Sequence, residues 1–103
     1  MLKVFLTRRA EKSLDEIVEY YRSEHSARRA EKVVGSIDKT LVRISKSPEG
    51  FPVNFDVAHP VENIRHAIVH HTFKIIFRIL PDKIEVLEIF HGSRNPQLLK
   101  DIE

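Results

Sequence analysis

Apolar positions along the chain pass from a two-residue period to a helical one and back, and these changes and the breaks between runs mark the elements. Leu2, Val4 and Leu6 alternate with Lys3 and Phe5, the two-residue period of a β-strand built from branched and aromatic residues. Thr7 follows with a hydroxyl placed to cap a helix. From there Ala10, Leu14, Ile17, Val18 and Tyr21 recur at helical spacing, while Arg8, Arg9, Lys12, Asp15, Glu16 and Glu19 fall on the other side. The stretch Ser23–Ser26 interrupts the pattern and offers a second cap. Ala30, Val33, Val34, Ile37, Leu41 and Ile44 then form a second helical stripe, ended by Ser47-Pro48-Glu49-Gly50. A short join between two helices of similar length predicts an antiparallel helical hairpin. Gly35, inside the second stripe, costs about 1 kcal/mol relative to alanine and suggests close packing on a neighbouring backbone.

Residues 48–63 hold Pro48, Pro52 and Pro60 and read as a loop crossing from helices to sheet. Three strand-like runs follow: Ile64–His70, Thr72–Leu80 and Lys83–His91. In the middle run Phe73, Ile75, Phe77 and Ile79 share one face, and Lys74, Ile76, Arg78 and Leu80 the other. Pro81-Asp82-Lys83 is a compact turn, so the last two runs pair as a hairpin. The last run is apolar on both faces, Val86 with Phe90 and Leu87 with Ile89, as a central strand requires. Gly92 ends it, His91 and Arg94 occupy the loop beyond, and Gln97–Glu103 adds one helical turn. The order β-α-α-β-β-β predicts a single α+β domain over residues 1–103, with a helical hairpin packed on one face of a small, mostly antiparallel sheet. The other face is expected to be partly open, with Arg65, Lys74 and Arg78 projecting from it.

The chain has 103 residues, enough for one modest core. It has no cysteine, which removes disulfides and thiolate chemistry and suits a reducing cytoplasm. The opening apolar run is too short for a signal sequence or a membrane span, so no membrane partner is expected. Net charge is only +2, but eleven Lys/Arg against eight Asp/Glu in residues 1–50 make the first half the basic one. Arg8-Arg9 and Arg28-Arg29 sit near helix starts, where the dipole disfavours cations. No Gly-rich phosphate loop, Ser/His/Asp arrangement or carboxylate cluster is present, and no cofactor is expected. His66 and His70, four apart on an extended strand, are separated by about 13 Å and cannot ligate one metal, so no metal is expected either.

Arranged in this order, the opening strand with Leu6-Thr7-Arg8-Arg9-Ala10, the helix ending Ile17-Val18-Glu19-Tyr20-Tyr21, the strand Phe73-Lys74-Ile75-Ile76-Phe77-Arg78 and the terminal Val86-Leu87-Glu88-Ile89-Phe90-His91-Gly92-Ser93-Arg94-Asn95-Pro96 resemble the RelE/ParE superfamily of toxins from bacterial type II toxin–antitoxin modules. The resemblance covers nearly the whole chain. It implies a toxin neutralised by a cognate antitoxin, with which it forms a hetero-oligomer. RelE-like members cleave messenger RNA in the ribosomal A site; ParE-like members poison DNA gyrase. The RNA-cutting branch has an arginine in the aromatic-flanked strand, where this chain has Lys74. It also has a tyrosine or histidine near the C-terminus for proton transfer, and here the last tyrosine is Tyr21, leaving His91. The ending His-Gly-Ser-Arg-Asn-Pro is more similar to the ParE branch.

The resemblance therefore implies a ParE-like gyrase inhibitor acting in the cytoplasm. The alternatives are a ribosome-dependent, metal-independent endoribonuclease acting on mRNA, or an inactive relative that only binds its antitoxin. If the chain is a ribonuclease, His91 supplies the acid or base and Arg65, Lys74, Arg78 and Arg94 hold phosphate oxygens. If it is not, the four cations remain candidates for binding the target. The plainer expectation is that they solvate the sheet surface and pin the last loop.

Overall fold

The computed structural model describes residues 1–54 and 63–91. Strand β1 (Lys3–Leu6) leads into helices α1 (Arg8–Glu24) and α2 (Ala27–Lys46), a single 3-10 turn (Pro48–Gly50), and strands β2 (Asn63–Val69), β3 (Phe73–Ile79) and β4 (Lys83–His91). The predicted order and α+β class are therefore those of the structure. Both caps form as expected. The Thr7 hydroxyl accepts from the Ala10 amide at 3.2 Å and the Ser26 hydroxyl from the Arg29 amide at 3.0 Å.

The four strands make one sheet in the order β1-β4-β3-β2. β2, β3 and β4 form an antiparallel meander, and β1 joins β4 in parallel. A parallel neighbour needs a crossover connection, and the α1–α2 hairpin contributes to it. The Ser45 hydroxyl donates to the Leu2 carbonyl at 2.6 Å, which ties the end of α2 to the start of β1. β4, apolar on both faces, is a central strand as its composition predicted.

The helices cover one face of the sheet. Ala10, Tyr21, Ala30, Val33, Ile37 and Ile44 from the helices pack with Ala67, Val69, Phe73, Ile75, Phe77, Ile84, Val86 and Ile89 from the strands in one core. Gly35 does not lie against a neighbouring backbone, because a Cβ added there would meet nothing within 4 Å. Its expected packing role is thus corrected.

Two local irregularities decide which side chains face which way. First, β2 ends at Val69, and His70 and His71 adopt left-handed backbone angles (φ 52° and 58°) in a turn closed by the Thr72 amide donating to the Val69 carbonyl at 3.0 Å. Histidine is one of the non-glycine residues enriched in this region, but glycine or asparagine is the commoner occupant, so the pair is a weak turn signal. His70 therefore leaves the strand and its side chain reaches α2, Nε2 lying 2.6 Å from the Ser36 hydroxyl. Second, Ile76 pairs with Glu88 but Phe77 pairs with Val86, so Leu87 is the extra residue of a β-bulge. The bulge reverses the side-chain alternation along β4. Val86 and Ile89, rather than Val86 and Phe90, point to the helices, while Leu87 and Phe90 point away with Ile64 and Ile76.

Candidate functional site: two faces of one meander

Cross-strand partners in a meander share a face, so the pairing places every candidate residue. Ile64 pairs with Arg78, Ile68 with Lys74, Lys74 with Phe90 and Arg78 with Glu85. These lie on the face away from the helices. At its centre Ile64, Ile76, Leu87 and Phe90 form a second apolar cluster, each no more than 4% exposed. The face is open only at its margins, where Phe5 and Ile68 are exposed beside this buried centre.

Two of the five candidates belong to it. The Lys74 ammonium stands 5.9 Å from the Phe90 ring centroid, within cation–π range. Arg78 donates from Nε and Nη2 to one carboxylate oxygen of Glu85, at 3.2 and 2.9 Å. That pair is partly buried, so Arg78 presents its charge already matched by a carboxylate.

Arg65 is not with them. It pairs with Phe77 and lies on the helix face, which corrects the expected grouping. Its guanidinium donates to the Phe51 carbonyl at 2.7 Å, the Glu49 carbonyl at 3.2 Å and the Asn63 side-chain oxygen at 2.9 Å. The two carbonyl bonds fasten the segment after α2 to the start of β2, and the Asn63 bond, within β2, steadies the guanidinium. A backbone bridge between Val53 and Arg65 continues the same attachment.

His91 is the last residue of β4, paired with Phe73 on the helix face and exposed. Its ring meets Phe73 edge-on at 5.6 Å between centroids. It borders a cleft of about 400 Å³ with Ser13, Glu16, Tyr20 and Tyr21 of α1. His91 and the Lys74–Arg78 pair thus stand on opposite faces of β3–β4. An acid or base acting on a phosphate needs hydrogen-bond reach to the reacting oxygen and cations around the same phosphate. Among the described residues no such constellation is assembled, and Arg94 lies outside them.

One charged contact went unread in the sequence. Glu88, just past the bulge, is buried, and its carboxylate accepts from Arg9 Nε on α1 and from the Ile89 amide, both at 3.0 Å. Thr7, besides capping α1, donates its hydroxyl to the Val86 and Leu87 carbonyls at 3.0 and 3.3 Å. The start of α1 is thereby clamped to the bulge. The signal was available in part, since an acid inside an apolar run demands a partner. Among the described residues no group of three or more His, Cys, Asp or Glu side chains is placed to hold a metal ion. No described helix is long and apolar enough to cross a membrane.

Residues 4–96 match the family model of the ParE toxin of the type II toxin–antitoxin system parDE. The chain belongs to that family. It is the ParE-like branch of the RelE/ParE superfamily, so the protein is of the type II toxin class. Among solved structures, one described as the chromosomal ParDE toxin–antitoxin system from P. aeruginosa superposes with a TM-score of 0.72 at 22% identity, covering 88% of this chain and 96% of that one. At that identity the likeness is one of fold. Nothing among curated proteins matches the chain at a significant level.

Proposed function

We propose that this ParE-family chain inhibits DNA gyrase and is held inactive in the cytoplasm by a cognate antitoxin. Support for gyrase over messenger RNA comes from the family match and from the division of the candidates between faces. His91 shares no surface with Lys74 and Arg78, and Arg65 is occupied in bonding backbone carbonyls. The antitoxin is a protein that covers part of this surface, burying roughly 1,500 Å² as stable partners do. Incubating the purified chain with DNA gyrase and relaxed plasmid tests the target. The proposal expects loss of supercoiling or accumulation of cleaved plasmid, reversed by adding the antitoxin. Unaltered gyrase activity at a large molar excess of the chain would overturn it.

A further inference from the structure

Helix α2 carries its charges by flank. Positions 29, 32, 36, 39, 43 and 46 recur at steps of three and four and so form one row along the helix. Their occupants are Arg29, Lys32, Ser36, Lys39, Arg43 and Lys46; every cation among them is exposed. The row spans seventeen helical steps, about 25 Å at 1.5 Å per residue. The acids Glu31 and Asp38 lie on the other flank, in a cleft shared with Val18 and Arg22 of α1.

The cationic flank is also where the surface is concave. A cleft of about 560 Å³ runs between α2 and the β2–β3 turn, bordered by Arg29, Lys32, Ser36, Lys39, His70 and Thr72. A second, of about 280 Å³, continues past Arg43 and Lys46 to Phe51. Among the described residues neither has a carboxylate in its lining. None of the five cations forms an ion pair with another described residue. Arg43 is held in place by its guanidinium, 5.4 Å from the Phe51 ring centroid. The first turn of α2 contains no acid, so Arg29 stands against the helix dipole without local compensation. A chain with a net charge of +2 has gathered five cations on one flank of one helix.

We propose that this flank of α2 is a docking surface for the phosphate backbone of duplex DNA. Protein partners take most of their binding energy from apolar anchors seated in pockets. Here the apolar floor residues Tyr21, Val33 and Phe73 are themselves buried, and the flank offers mainly charge. Single strands are held by stacking on successive exposed rings, whereas this surface has only His70 and the half-buried Phe51, which Arg43 already covers. A duplex backbone asks for what is present, a row of cations along one helix at axial intervals of about 4.5 to 10.5 Å. The row is about as long as seven base pairs at 3.4 Å per step. The inference concerns DNA contact alone and does not rest on gyrase being the target.

The test is fluorescence anisotropy of the full chain with a labelled duplex of about 20 base pairs, titrated between 50 and 200 mM salt, with an RNA hairpin and an acidic peptide as competitors. Five phosphate contacts predict a slope of log affinity against log salt of about −4.5. The triple variant Arg29→Ala, Lys32→Ala, Lys39→Ala should bind at least about tenfold more weakly, with the slope reduced to about −2. Arg8→Ala with Lys12→Ala, on α1, should leave affinity within about twofold. Unchanged melting of each variant keeps folding out of the comparison, and Arg43→Ala with Lys46→Ala provides an independent second loss. The proposal is overturned if the triple variant binds like wild type, or if the α1 control loses as much. It is also overturned if the RNA hairpin or the acidic peptide binds more tightly than the duplex.

Discussion

On the helix side of the sheet, eight strand residues from Ala67 to Ile89 join six helical ones in a single continuous core. On the other side the same strands contribute a cluster of only four, bordered by Lys74 over Phe90 and by Arg78 against Glu85. One face is organised for stability. The other combines a small apolar centre with charges at its margin, which is where a binding residue can change without unfolding the chain. The difference between them is also chemical, because His91 and Arg65 belong to the first face and Lys74 and Arg78 to the second.

Substitutions should separate the faces by size of effect. Phe77→Ala, at a position with no exposure at the centre of the helix-side core, should cost about 3–5 kcal/mol in a denaturant titration. A loss under about 1 kcal/mol would mean that this core is not continuous. Arg9→Ala comes next. It strips the guanidinium from buried Glu88, and because Arg9 itself is 43% exposed the loss is screened to about 1–3 kcal/mol. In Arg9→Ala, the further change Glu88→Gln should recover part of it, which a double-mutant cycle would detect. Arg78→Ala, which breaks a partly buried pair, should cost about 1–2 kcal/mol, and Lys74→Ala about 1 kcal/mol or less, while both test whether the far face reaches the target. If both variants stay folded and growth arrest persists, that face is not the one that binds it. Gly35→Ala should act in the opposite direction and stabilise by about 0.5–1 kcal/mol, since the added methyl meets no atom and the unfolded chain loses freedom.

The elements of this fold were legible because each rests on local chemistry. Thr7 and Ser26 cap where the hydroxyls stand, and the two helical stripes become buried faces. Facing was harder to read, because it depends on two features that leave little trace in composition. The His70-His71 turn uses residues that give only a weak turn signal, so the end of β2 is read one residue too far. Its parity places Arg65 opposite Phe77 and beside the helices, where grouping by charge had set it beside Lys74 and Arg78. The bulge at Leu87 similarly exchanged the partners of Val86 and Phe90. A one-residue change of register moves every side chain of a strand to the other face, so such irregularities decide which side chains share a surface. Arg94, the remaining candidate, lies outside the described residues. So do Gly92 and the predicted final turn at Gln97–Glu103.

The separation of His91 from Lys74 and Arg78 is tested most directly by mapping RNA ends in cells minutes after induction of the wild-type chain and of His91→Ala. If the faces act as the geometry divides them, messenger RNA stays intact in both while growth stops and DNA breaks accumulate. Cuts phased to codons in the wild type, falling by about 10²-fold or more in His91→Ala, would show that His91 is a general acid or base and contradict the account.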